Sequence, residues 1–314
     1  MDATGYPSRD GILPRGYASN YTARAPPGQC QADRRPATEQ PLTIRPYHSN
    51  QGDAYIMKER LTTGLIAAAL LLLAPLAAIA DNHEPDLSSV WIFAPKQGHT
   101  AEFEKAIREH AAVREKGGDS RDWQAYSVAM GDHMGIYQVR HCCFDWADED
   151  AYNAENAEQG FGEHFQKTVA PHLDHMHHYF ERMDMENSSW PDDLGQKPYY
   201  GVTSWVWKED ASPEVNEVRK QMSQALMEAG WGDDSPWLWL SRIGGKPMLM
   251  IVAPYDNYAD MAPPEQNMYE FMLDNSDMTG DDMDAIFATF GAGFSSSDYT
   301  IWQHRPDLSV SSGD

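Results

Sequence analysis

A repeat of landmarks constrains this chain more than any other feature. Trp91 and Trp123 stand 32 residues apart, and so do Trp205 and Trp237. Around each first Trp lies a strand-like run, Val90-Trp91-Ile92-Phe93 and Thr203-Ser204-Trp205-Val206-Trp207. A helical stretch follows in both places. In the first, Phe103, Ile107 and Ala111 make an apolar stripe, Glu102 and Glu104 lie near its start, and Gly117-Gly118 stops it. In the second, Ser212 reads as the N-cap with Pro213 at the first helical position. Val215, Val218, Met222, Ala225 and Ala229 line its apolar face, and Gly230 ends it. A hairpin then follows each helix. One is Trp123–Met130 and Ile136–Cys143 about Gly131-Asp132; the other is Trp237–Ile243 and Met248–Ala253 about Gly244-Gly245. Trp146-Ala147-Asp148 and Tyr258-Ala259-Asp260 each open a second helical region. With Phe165 set against Phe287, His177–Arg182 and Tyr299–His304 align as closing strands.

Each copy therefore reads β-α-β-β-α-β, the ferredoxin-like unit, over residues 88–190 and 198–306. Helices cover one face of such a sheet. Trp205, Trp207, Trp237, Trp239, Met248 and Met250 are too apolar for the other face to be wet. The expected fold is α+β, with two ferredoxin-like βαββαβ repeats packed sheet to sheet as an intrachain pseudo-dimeric α/β barrel. This pattern resembles the dimeric α/β-barrel superfamily, most nearly its NIPSNAP-like and antibiotic-biosynthesis-monooxygenase-like members. The residues carrying the resemblance are Val90–Pro95, the helix around Phe103–Val113, Trp123–Met130 and Ile136–Phe144, with their second-copy counterparts. It covers most of 88–305 and rests on architecture and element order, not on a catalytic motif. It implies a ligand held between sheet and helices or inside the barrel. It spans small-ligand binders, cofactor-independent oxygenases and haem-binding or haem-degrading enzymes, so fold alone does not choose among them.

Ahead of the repeat, Met57-Lys58-Glu59-Arg60 is a short charged start and Leu65–Leu73 an unbroken apolar stretch. Ala78-Ile79-Ala80 places small residues where a signal peptidase reads. Residues 57–80 are thus expected to be a signal peptide cleaved near Ala80-Asp81, exporting the protein to a periplasmic or extracellular space. A retained anchor would want about 20 apolar residues. Residues 1–56, rich in Arg and Pro and without hydrophobic periodicity, read as disordered and as upstream sequence outside the native protein. The rival reading is a disordered cytoplasmic tail ahead of an anchor.

From Asp81 onward, 16 basic side chains face 42 acidic ones, a net charge of −26. So acidic a chain excludes nucleic acid and anionic membrane surfaces as partners, and leaves a small-molecule ligand or an oligomer open. Cys142 and Cys143 are the only cysteines of that part. Adjacent strand residues point to opposite faces, so two buried free thiols or a link to another chain are expected in preference to a vicinal bridge. No Cys-x-x-Cys spacing supports metal or redox chemistry.

No nucleotide, Ser-His-Asp or helical zinc-protease motif occurs. The one dense cluster of potential ligands is Pro171-His172-Leu173-Asp174-His175-Met176-His177-His178. Imidazole suits zinc, copper, nickel or haem iron. The matching stretch Gly291–Ser297 has loop composition, which puts His172 and His175 on a loop and His177 and His178 on a strand, facing opposite ways. A metal site from His172, His175 and His177 would need a special loop shape; solvated or structural histidines are the plainer reading. A second set, Tyr126, Tyr137 and His141 on the first hairpin with His110 on the first helix, could point polar tips into one cavity. Core aromatics with backbone partners are the plain alternative there. The sequence favours no cofactor and leaves haem or a transition metal open. It leans to a module binding a small apolar molecule, with a cofactor-independent oxygenase or haem enzyme as the alternative.

Overall fold

The continuous β-branched and aromatic run Val90-Trp91-Ile92-Phe93 makes Leu87–Pro95 the first strand of the fold, β1, in a computed structural model that describes residues 85–311. The expected signal peptide at 57–80 and the segment 1–56 lie outside the described residues. After β1 come α1 (Thr100–Gly117), β2 (Gln124–Met130), β3 (Tyr137–Phe144), α2 (Trp146–Glu158), α3 (Phe161–Thr168) and β4 (Leu173–Met183). The second half runs β5 (Tyr199–Trp207), α4 (Glu214–Glu228), β6 (Leu238–Ile243), β7 (Met248–Tyr255), α5 (Met268–Asn275), α6 (Gly280–Ala292) and β8 (Phe294–His304). The strands close into an antiparallel barrel, β1-β3-β2-β8-β5-β7-β6-β4. The first half contributes β4-β1-β3-β2 and the second β8-β5-β7-β6, the same order. Pairings β2 with β8 and β4 with β6 join them and leave no free edge.

Matching details set the correspondence between halves. Helices α1 and α4 are both followed by a left-handed glycine, Gly118 (φ 73°) and Gly230 (φ 82°), which no residue with a Cβ adopts as cheaply. Bulges fall at Ala94/Pro95 opposite Leu173 and at Val206/Trp207 opposite Phe294. The first-half position equivalent to Trp205 is therefore Phe93, not Trp91. Likewise Leu173 matches Phe294, so His177 matches Asp298 and the alignment anchored on Phe165 and Phe287 is one residue out. A one-residue slip in a strand exchanges its faces.

Several other expectations are corrected. Of the apolar residues expected to cover the sheet's second face, Met248 and Met250 line the barrel interior. Trp205, Trp207, Trp237 and Trp239 instead lie on the helix side, packed among Met222, Leu226, Met283 and Phe290. The closing strand β4 begins at Leu173, so His175 is on a strand rather than a loop. Pairing with β1 overrides the loop-like composition. At Tyr258 only a short 3-10 turn forms, Ala259–Met261, before Pro263 and Pro264 remove two backbone donors. The next helix, α5, waits for the Asn267–Glu270 capping box. Helix α4 begins at Glu214 with Pro213 in the cap position, and Ser212 Oγ accepts from the Glu214 N–H. Cys142 and Cys143 form a vicinal disulfide across a cis peptide that brings their Cα atoms to 3.0 Å, and neither residue is buried.

Each half ends in a tail laid on the other half. After β4, Ser189 bridges to Trp237, and Ser188 Oγ accepts from the Trp239 N–H. After β8, Val310 bridges to Trp123, and Ser309 Oγ accepts from the Ala125 N–H.

Candidate functional site

Between the outer face of β1, β3 and β4 and the helices α1, α2 and α3 lies a cavity of about 560 Å³. Its walls are mainly Trp91 and Phe93 from β1, Val139 from β3, Ile107 from α1 and Phe165 from α3. Leu308 and Val310 of the second half's tail complete them. Apolar walls with a few converging polar groups are the usual make-up of a ligand pocket, and the volume falls in the usual range.

The polar groups are held by one another. Arg114 Nε donates to His110 Nε2 at 2.9 Å, so the His110 proton sits on Nδ1 and points to His164 Nδ1, 2.9 Å away. Burial, then the Arg114 charge and His164, push the His110 pKa down to about 3, so its ring is neutral at ordinary pH. Arg114 NH1 also donates to Asp119 (2.6 Å) and to the Tyr152 hydroxyl (2.8 Å), which accepts from Trp123 Nε1 as well (3.0 Å). Burial raises the Tyr152 pKa to about 12. On the opposite wall His178 lies flat on Trp91, ring centres 4.1 Å apart, with Nε2 2.9 Å from Ser89 Oγ; burial lowers its pKa as well. Arg121, from the loop between α1 and β2, covers the faces of Tyr152 (3.8 Å) and Phe144 (4.4 Å).

The second half has no counterpart among the cavities described; apolar side chains pack together in the equivalent space. Counting back from the matched glycines pairs His110 with Met222 and Arg114 with Leu226. Counting back from the matched closing strands pairs Gly162 with Met283 and Val169 with Phe290. The matched serine contacts pair Ala125 with Trp239. Met222, Leu226, Trp239, Met283 and Phe290 form one buried cluster with Trp205 against it. A larger cavity of about 880 Å³ is the barrel interior, where Arg140 and Glu181 pair at 3.4 Å.

The residues singled out in the sequence are distributed over several places. His110 lines the first cavity. His141 is on the same side of the sheet, but its Nδ1 donates to the Asp122 carbonyl (2.8 Å) and its ring packs on Trp123 and Phe144. Tyr137 packs on Phe103 and donates to Glu104 (2.6 Å). Tyr126 points the other way, into the barrel, where Gln196 donates to its hydroxyl (3.0 Å). The four therefore do not converge on one space. His177 faces the barrel and His178 the helices, opposite ways as expected. His172 meets His99 (3.5 Å) in a 3-10 turn, while His175 meets Asp174 (2.9 Å). Among the described residues no three His, Cys, Asp or Glu are grouped to hold a metal. Haem fits the cavity's histidines no better: Nε2 of His110 is taken by Arg114 and Nε2 of His178 faces Ser89. Arg114, Arg121, Glu149 and Tyr152 went unrecognised in the sequence; the one available signal was that Arg114 lies on the α1 stripe four residues after His110.

No family model and no curated protein matches the chain. Solved structures similar to it include an anthrone oxidase-like protein (10% identity, 74% of this chain and 95% of that one, TM-score 0.47). A chlorite dismutase variant from Candidatus Nitrospira defluvii in complex with cyanide is similar at 10% identity, over 72% and 93% of the two chains, with a TM-score of 0.44. A presumed monooxygenase from Lactobacillus acidophilus NCFM is similar at 11% identity, over 73% and 98%, with a TM-score of 0.43.

Proposed function

We propose that this protein binds a small, largely apolar molecule in the cavity between the first half's sheet and its helices. The observation that carries the reading is the contrast between halves. Equivalent elements close over a filled core in one and over about 560 Å³ in the other. Protein interiors pack densely, and leaving this space open forgoes the apolar packing that the other half keeps. The fold itself therefore has no use for the space. Phenylnaphthylamine, whose fluorescence rises on entering an apolar site, tests it. Native protein should enhance the signal saturably, and Gly162→Met, which introduces the second half's side chain, should abolish the enhancement. Equal enhancement by both proteins would sink the reading.

A second reading, oxygen chemistry without a cofactor, is favoured by His178. Its neutral ring lines the cavity and could take a proton from a bound substrate. His110 suits that role less, because Arg114 occupies its lone pair. Oxygen uptake with a panel of hydroxyaromatic compounds, lost in His178→Phe, is the measurement; no uptake with any of them removes this reading. We further read the two halves as a tandem duplication of the dimeric α/β-barrel unit and the protein as exported after cleavage near Ala80-Asp81. The repeated strand order supports the first and the charged, apolar and small-residue succession the second. N-terminal sequencing of the exported protein tests the latter, and a mature form retaining Gln51 would exclude it.

A further inference from the structure

Inside the barrel the charged side chains do not cancel. Arg140 pairs with Glu181 at 3.4 Å and donates to Ser88 Oγ at 3.0 Å, so that guanidinium is already answered. Arg242, on β6, lines the same space and is partly exposed. It stands opposite Glu181 in the β4–β6 register, yet its guanidinium carbon lies 3.9 Å from the centre of the Tyr179 ring. Among the described residues no carboxylate comes within ion-pair distance of it. Burial raises the Tyr179 and Tyr200 pKa values, so the phenols nearby are neutral and supply no countercharge. At the mouth, Lys246 and Asp298 also line the space, which makes three cations against two anions in all. Protonation of His133, His175 or His177, which stand there too, would only add to the excess.

The walls beyond Arg242 are largely apolar, with Val202 and Val206 from β5, Met248 from β7 and Trp302 from β8. A cation facing such walls is poorly solvated, and an anion that reaches it interacts more strongly than in open water. A guanidinium with a ring on its face keeps its in-plane N–H edge for an acceptor, the geometry that takes a carboxylate.

We infer that the barrel interior is a second binding site, for a carboxylate with an aliphatic tail, whose head pairs with Arg242 and whose tail lies against Val202, Val206 and Met248. This site stands apart from the apolar cavity proposed above, because the two spaces lie on opposite faces of the sheet. One excess cation matches one negative charge. A neutral alcohol leaves the guanidinium unanswered, and an alkylammonium meets it as a like charge. Valine and the flexible methionine suit an aliphatic chain, and about 880 Å³ is ample room for one.

Calorimetric titration with decanoate, decanol and decylammonium, one tail under three charges, tests it. Decanoate should bind the native protein about tenfold or more tighter than decanol, the size expected of hydrogen bonds to a charged group, with decylammonium weakest. Arg242→Met should bring decanoate down to the level of decanol, and Arg242→Lys should retain part of the preference. Gly162→Met, which fills the other cavity, should leave decanoate unchanged. Should Arg242→Met fail to fold, NMR titration of carboxyl-labelled decanoate on the native protein decides. Beside Arg242 the bound carboxyl should titrate below the free acid, whereas burial alone would raise it. Decanoate no tighter than decanol, a raised carboxyl titration, or binding lost in Gly162→Met but kept in Arg242→Met overturns the barrel site. None of these outcomes touches the reading of the first cavity, which phenylnaphthylamine tests separately.

Discussion

The two halves share strand order, helix caps and bulge positions, yet one is hollow where the other is solid. Ala125, Gly162, His110 and Arg114 stand where the second half has Trp239, Met283, Met222 and Leu226. The first half thus trades apolar bulk for small residues and for polar groups that must be held in a network. The second half shows what the same architecture becomes when only packing is served.

That contrast can be broken from either side. Trp239 is buried and packs against Trp205 at a tilt and edge-on against Phe290, and Ser223 accepts from its Nε1. Trp239→Ala should cost about 3–5 kcal/mol in urea unfolding; a loss under about 1 kcal/mol would mean that the filled half does not depend on its filling. Leu308, buried in the tail over the hollow half, should cost about 2–4 kcal/mol on change to Ala, while also loosening phenylnaphthylamine. An unaltered affinity would show that the tail does not close the site.

Acid sharpens the comparison. The folded-state pKa of His110, about 3, lies below its ordinary 6.5, so the unfolded chain binds the proton first and stability rises with pH. This contribution is complete above about pH 6.5 and falls away as pH drops toward 3, by about 2 kcal/mol between pH 7 and pH 5. His110→Met, borrowing the second half's residue, should flatten that slope in paired urea titrations at the two pH values; parallel slopes would refute the buried-neutral assignment. The smallest effect on stability belongs to Gly162→Met. A Cβ there meets nothing within 4 Å, so unfolding should shift by less than about 1 kcal/mol while probe binding disappears. A large destabilisation would show that the hollow half cannot accept its neighbour's filling.

Much of the fold was legible from residues with positional meaning. Gly118, Gly230 and the Gly244-Gly245 turn punctuate the chain where local backbone chemistry demands it, and the apolar stripes of α1 and α4 follow helical period. What was missed depends on partners distant in sequence. The start of β4 at Leu173 is set by pairing with β1, and the register of the closing strands by bulges that no local pattern announces. The helix-side position of the paired tryptophans could not be told from a sheet-to-sheet one, since both faces of these sheets are covered. The site was legible only at His110. Arg121 comes from a loop without periodicity, and Glu149 from a helix whose exposed and buried faces are nearly equally polar. Their shared burial is a property of three-dimensional neighbours, Phe144 and Tyr152 among them.

The crossed tails bear on the order of synthesis. Leu308 and Val310, which wall the first half's cavity, leave the ribosome after every strand and helix described. When β1 to β4 emerge, the cavity has sheet and helices but no floor, and Trp123 lacks its bridge to Val310. A nascent first half therefore has an incomplete pocket. The pocket is walled on that side only once β8 has joined β2 to β5 and carried the tail across.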